Sequence, residues 1–255
     1  MPSLQSAVIA KCRHCERSEA ISRHCEEQRD EADVVTAQDI RLYLNALVAC
    51  FLLPPILANM RQALPEVTVA LVVSNDVSNL LRREADIALR MVRPEQSSLI
   101  AKRIGHISIQ ACAHSDYLQR KGTPMQAADL VSHDLIAGDH NSDVELGFEA
   151  QGFARQDLRF ALRSDDLIAQ WVAVKAGLGV GFMADYLLSA GPSVQTLLPE
   201  LELPQFPMWL TVHRELQTSA RIRAVYDFLA HEVAHTLVGS LNDSSQPGSK
   251  NAIIK

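Results

Sequence analysis

From residue 39 onward, apolar and polar positions along the chain switch repeatedly between two periods. "DIRLYLN" (39–45) sets Ile40, Leu42 and Leu44 against Arg41, Tyr43 and Asn45, a period of two that predicts a strand. "LLPPILANMRQALP" (52–65) predicts a helix with proline in its first turn and a stop before Pro65. "VTVALVV" (67–73) is a near-continuous β-branched run and predicts a strand buried on both faces. "NDVSNLLRREA" predicts a short helix, and "DIALRMV" (86–92) a further strand. Strand, helix, strand, helix, strand implies a parallel sheet wrapped by helices.

A second unit of the same kind follows. "HISIQACAH" (106–114) reads as a strand, and "SDYLQRKG" (115–122) as a helix with Ser115 as N-cap and Gly122 as its stop. "DLIAGD" and "DLRFALRS" are short strands. "SDDLIAQWVAVKAGLGVGFMADYLL" (164–188) reads as a capped helix, a glycine turn, an apolar strand and another helix. "PMWLTVHRE" (207–215) is a strand returning towards the first unit. "SARIRAVYDFLAHEVAHTLV" (219–238) is a final amphipathic helix that turns Val225, Phe228, Leu229 and Val233 inward.

Several of these strings, in this order, carry a resemblance. They are "LLPPILANMRQALPEVTVALVVSN", "LLRREADIALRMVRPEQSSLIAKRIG", "DYLQRKGTPMQAADLVSHDLI", "RSDDLIAQWVAVKAGLGVGFMADYLL" and "RIRAVYDFL". Over residues 39 to 236 the chain resembles the effector-binding domain of LysR-type transcriptional regulators. The resemblance implies an α/β fold of two Rossmann-like subdomains joined by two crossover strands, periplasmic-binding-protein-like of type 2. Subdomain I would cover about 39–106 plus 208–236, and subdomain II about 107–207, with a flexible tail at 237–255. It also implies a small-molecule effector in the cleft between subdomains, no enzymatic activity and no cofactor. A homodimer would form through the helices at 54–64 and 165–176.

On such a fold, ligands sit beyond the carboxyl ends of strands, where loops lead into helix N-termini. The positions that meet this description and match the family's pocket segments are five pairs. Asn45 and Ala46 follow the first strand, Ser74 and Asn75 the second, and Arg90 and Met91 lie near the end of the third. Gly138 and Asp139 follow "LIA", and Ser164 and Asp165 open a helix of subdomain II. Their amide, hydroxyl and guanidinium groups suit a polar effector such as a carboxylate. The plainer reading is that Ser164 and Asp165 only cap their helix and Arg90 lies on the surface.

Residues 1–38 depart from the family. They hold no helix pair and no linker helix of the kind a winged helix-turn-helix requires. Instead "RHCERSEA" (13–20) and "RHCEEQRDEA" (23–32) are imperfect copies, so Cys15 and Cys25 recur because the unit recurs. Charged tandem copies read as adventitious sequence in place of a DNA-reading domain, and not as a zinc knuckle. Operator binding is therefore expected only where another chain supplies the winged helix-turn-helix.

Bulk properties agree. The 255 residues are 47% hydrophobic and 21% charged, with a net charge of -6, so no global positive field favours nucleic acid. Five cysteines, at 12, 15, 25, 50 and 112, form no disulfide framework and point to a reducing, cytoplasmic compartment. "LVACFLLPPILA" (47–58) is too short to span a membrane and is read as core.

Two motifs suggest other chemistry. "GLGVG" (177–181) follows a helix and opens a strand, the reverse of a dinucleotide fingerprint, so its glycines are read as a helix end and a close-packing point. "HEVAH" (231–235) has the zincin spacing, with His231 and His235 as ligands and Glu232 as base, and makes a zinc-dependent hydrolase the alternative function. Against it, no Glu or His follows His235 to complete the zinc site.

Overall fold

A computed structural model describes residues 39–74 and 85–243 of the chain. The N-terminal copies, the helix expected from residue 75, and the tail from 244 lie outside the described residues. The alternation in "DIRLYLN" produces β1 (Asp39–Leu44), with Ile40, Leu42 and Leu44 fully buried. A turn of π-helix at Val48–Leu52 then leads into α1 (Leu53–Ala63), which starts on the proline pair. Proline suits that position because the first helical N–H groups have no partner within the helix. The segment read as core is core: Leu47, Val48, Leu52, Leu53 and Ile56 are all buried.

β2 (Thr68–Val73) and β3 (Ile87–Arg90) complete the first strand set. β1 and β3 pair in parallel, with Leu42 opposite Ile87 and Tyr43 opposite Ala88. The sheet order is β2-β1-β3, so β2 forms the edge. Its residues are exposed or half-buried, which corrects the expectation of a strand buried on both faces. β-branched residues report fitness for a pleated strand, and the position in the sheet decides burial.

β4 (Leu99–His114) begins seven residues earlier than the pattern indicated. β9 (Gln205–His213) runs antiparallel to it from Leu99↔His213 to Ser108↔Gln205, and β9 also pairs with β3. Beyond residue 108, β4 pairs instead with β7 (Gly181–Ala184) and β8 (Val194–Leu197). β4 and β9 are therefore the two strands that cross between the halves. β5 (Asp134–Ala137) and β6 (Arg159–Arg163) pair in parallel, and Leu135 bridges to Val180 beside β7. This is the expected arrangement of two α/β subdomains joined by two crossover strands.

The helices of the second half are α2 (Ser115–Lys121), α3 (Asp143–Ala150) and α4 (Leu167–Lys175). α2 is capped by His114, whose Nδ1 accepts the N–H of Asp116 at 3.2 Å, and not by Ser115. An imidazole one residue earlier supplies the acceptor that a hydroxyl was expected to give. After β7 the chain forms 3-10 turns at Asp185–Ala190 in place of the expected α-helix. α5 (Ala220–Asp243) buries Val225, Leu229 and Val233 with Phe228 half-buried, and it runs on through Asp243, into the segment expected to be a flexible tail.

One apolar cluster joins β1, α1 and α5 to Trp171, Val174, Tyr186 and Leu187 of the second half. Phe51 meets Trp171 edge-on at 6.4 Å between ring centres, and the Lys175 ammonium lies over both rings. A second cluster, built on Tyr117, Leu130, Leu135, Phe148 and Val180, fills the interior behind β5. Each fully buried Leu, Ile or Phe stabilises the fold by roughly 1.5–3 kcal/mol before entropy is counted.

Candidate functional site

The parallel β1–β3 pair places Asn45 and Met91 beyond the same sheet edge. Ser74 joins them there, because its N–H donates to the Leu44 carbonyl at 3.0 Å. The Asn45 amide is committed locally: its Oδ1 accepts the Val48 N–H at 2.9 Å and so opens the π-helical turn. Ala46 is half-buried in that same first turn, and Met91 packs against the apolar cluster. Asn75 lies outside the described residues.

Arg90 is held differently from its neighbours. Its guanidinium carbon lies 5.3 Å from the centre of the Tyr43 ring, and its cross-strand partner on β9 is Trp209. Burial draws the Arg90 pKa below its ordinary value. Arg93 in turn lies over the Trp209 ring at 5.5 Å. The plain surface reading of Arg90 does not fit this half-buried, stacked side chain.

In the second half, parallel pairing of β5 and β6 brings Gly138 and Ser164 to one edge, and the Ser164 N–H donates to the Ala137 carbonyl at 2.9 Å. Asp165 crosses from its own loop to the other. Its carboxylate accepts the N–H of Asp139 at 2.8 Å and that of His140 at 3.0 Å, and it meets His140 Nδ1 at 2.6 Å. The hydrogen bond with the His140 ring, followed by the backbone donors, holds the Asp165 carboxyl down to about 2. Gly138 lets the loop close: a Cβ there would sit 2.8 Å from the Asn141 carbonyl oxygen and 3.3 Å from Asp165 Oδ1. The helix cap is Asp166, whose Oδ1 accepts the N–H groups of Ile168 and Ala169, while Ser164 Oγ accepts that of Asp166. Asp165 is thus a clamp between loops and not a cap.

Behind the clamp, Arg163 at the end of β6 pairs with the buried Glu145 of α3, which also meets Arg155 at 3.2 Å. Arg163 Nε lies 3.8 Å from Asp139. The pattern did not single out His140, Glu145 or Arg163. His140 was within reach as the residue after Asp139, whereas Glu145 sits on a helix with no strong apolar period. Tyr43 and Trp209 were missed because only strand register places them beside Arg90.

The two competing motifs resolve in the same frame. Gly177 ends α4 with φ at 71°, and a Cβ on Gly179 would lie 2.2 Å from the Asp134 carbonyl oxygen, so the glycines serve chain reversal and close packing. His231 and His235 are exposed on the outer side of α5, where His231 Nδ1 lies 3.1 Å from Glu232 Oε1. Among the described residues no group of three His, Cys, Asp or Glu side chains could hold a metal ion. Nor is any described helix long and apolar enough to cross a membrane.

Residues 35–234 match the family described as LysR substrate binding domain. Over 197 residues the chain is 25% identical to the HTH-type transcriptional regulator CrgA of Neisseria meningitidis, covering 74% of this chain and 64% of that protein. It is 26% identical over 143 residues to the HTH-type transcriptional activator AaeR of Escherichia coli, covering 54% of this chain and 46% of the relative. The chain thus spans about half to two thirds of the length of these relatives. Among solved structures, the CrgA regulatory domain superposes with a TM-score of 0.64 at 23% identity, over 76% of this chain and 98% of that one. Full-length AphB of Vibrio cholerae gives 0.61 at 20% identity, over 84% and 76%.

Proposed function

Because the chain belongs to the LysR substrate binding domain family, we propose that it senses a small polar effector between its two subdomains. The effector would be held by the loops that follow the strands. On subdomain I these are the surroundings of Asn45, Ala46, Ser74, Asn75, Arg90 and Met91. On subdomain II they are those of Gly138, Asp139, Ser164 and Asp165. The observation that supports this reading is the gathering of the described ones among those positions, Asn75 left aside, into two groups, one at the β1–β3 edge and one at the β5–β6 edge, flanking the β4–β9 crossover.

Mechanistically, an effector that binds the closed arrangement better shifts the population towards it. In this reading the subdomains would move about the point where β4 leaves β9 for β7 and β8. The reading extends to a cytoplasmic homodimer, through the helices at 54–64 and 165–176, and to control of transcription in an assembly where a winged helix-turn-helix reads the DNA. Val172, exposed on α4, supports an apolar contact there. The zinc hydrolase alternative gains nothing from the outward-facing histidines.

Thermal-shift screening of the purified chain against small carboxylic acids, amines and neutral polar compounds tests the proposal. A ligand that binds only the folded state raises the midpoint, by an amount that grows with ligand concentration. A concentration-dependent rise with at least one class supports effector binding, and no rise with any class refutes it.

A further inference from the structure

Three nitrogen donors on the face of the first sheet are buried without an acceptor: Nε and Nη2 of Arg90 and Nε1 of Trp209. Arg90 and Trp209 are direct cross-strand partners, so their side chains leave the sheet on the same face. Nε and Nη2 form one edge of the planar guanidinium, and their parallel N–H groups match the two oxygens of a carboxylate. The neighbouring polar side chain on this face is satisfied, because Thr211 Oγ1 donates to the Ala88 carbonyl at 3.3 Å. Ser108 Oγ, Trp171 Nε1 and Arg221 Nε are also buried without a partner, but of these residues Arg90 and Trp209 are the two that face each other across neighbouring strands.

Two further cations stand beside the pair. Arg93 stacks over Trp209, and the exposed Arg103 is that residue's partner on β4. Among the described residues, no carboxylate pairs with Arg90, Arg93 or Arg103, although the chain as a whole carries -6. A buried guanidinium edge without a counter-charge is costly, and an entering acceptor would offset the unmet donors. The Tyr43 ring, 5.3 Å from the guanidinium carbon, packs against Arg90 from the neighbouring strand, while Trp209 stands as its register partner on β9.

We infer that Arg90 and Trp209 form a carboxylate seat, in which the Nε–Nη2 edge of Arg90 grips both oxygens and the Trp209 indole N–H supplies a third donor. The effector is then a small monocarboxylic acid entering beside the end of β3. This assignment rests on the effector-binding reading and narrows it to one ligand class on subdomain I.

The test is calorimetric titration of the full chain with acetate and benzoate, with benzamide and benzylamine as neutral and cationic controls. Variants are Arg90→Lys, which keeps the charge and loses the paired edge, and Trp209→Phe, which keeps a ring and loses the N–H. The expected result is binding of a carboxylate but not of the controls, weakened about tenfold or more in Arg90→Lys and about fivefold in Trp209→Phe. Cooperative melting of each variant establishes that it is folded, and Trp209→Phe alone suffices if Arg90→Lys is not. Carboxylate binding of equal strength in wild type and folded variants overturns the seat. So does thermal-shift stabilisation by amines or neutral compounds alone, which leaves effector binding standing. The absence of any stabilising compound overturns both.

Discussion

Oδ2 of Asp165 lies 2.6 Å from Nδ1 of His140, and the same carboxylate accepts the His140 backbone N–H. This pair ties the loop after β5 to the loop after β6, and each partner shifts the other's titration. The hydrogen bond to Asp165 raises the His140 pKa above its ordinary value, and Asp165 is held down to about 2.

The sign of the pH dependence follows from those shifts. Asp165 contributes stability that is complete above its unfolded value of about 3.9 and lost as pH falls through about 2. His140 contributes stability that is complete below about 6.5 and lost as pH rises through its raised folded value. The clamp is therefore strongest between about pH 4 and 6.5. The stability difference between wild type and His140→Gln, measured by urea unfolding across pH, should be largest in that window and shrink above it. A difference independent of pH would remove the ionic contribution from the clamp.

Glycine positions give opposite signs. Gly179→Ala places a methyl 2.2 Å from the Asp134 carbonyl oxygen, a backbone atom that cannot swing away. The loss should be about 3 kcal/mol, at the upper end of ordinary overpacking. Gly147→Ala, on an exposed position of α3 with nothing within 4 Å, should gain roughly 0.5–1 kcal/mol from helix propensity. Denaturant midpoints moving the same way for both would contradict the packing described for β5 and β7.

Tyr117 is fully buried, and its hydroxyl accepts the Asp134 N–H at 2.8 Å and lies 3.2 Å from His133 Nδ1. Tyr117→Phe leaves that N–H without its acceptor at the start of β5. The expected cost is about 1–3 kcal/mol with the fold retained. Hydrogen exchange at the Asp134 amide should accelerate in the variant, and unchanged exchange would show that the bond does not form.

On α5, His231→Ala and His235→Ala change exposed side chains on the face away from Val233. Each should alter stability by less than about 0.5 kcal/mol. Elemental analysis of the purified chain should give the same zinc content before and after substitution. Stoichiometric zinc that disappears with His231 would revive the hydrolase reading.

Legibility in the sequence followed the physics of each element. β1, α1, β3, β5, β6, α4 and α5 were visible because period and capping chemistry are local. The crossover strand β4 was only half visible, since residues 99–105 are half-buried or exposed apart from Ile104 and so show no alternation. The edge position of β2 could not be read, because sheet order is a long-range property. At the candidate site, strand ends located the loops and gathered Asp139 with Asp165. The pairing of Arg90 with Trp209, 119 residues apart in "LRMV" and "MWLT", depends on register that no local pattern encodes. Side-chain roles within loops were likewise hidden: Asn45 proved to be a turn-opening cap and Asp165 a clamp.

The most direct test of effector binding at these loops is an amide chemical-shift map, recorded while the compound giving the largest thermal stabilisation is titrated into the chain. Perturbations should cluster around residues 45–46, 74, 90–91, 138–140 and 164–165, with smaller changes where β4 leaves β9 near residue 108. Perturbations centred on the outer face of α5, or scattered without a cluster at either strand edge, would contradict the account.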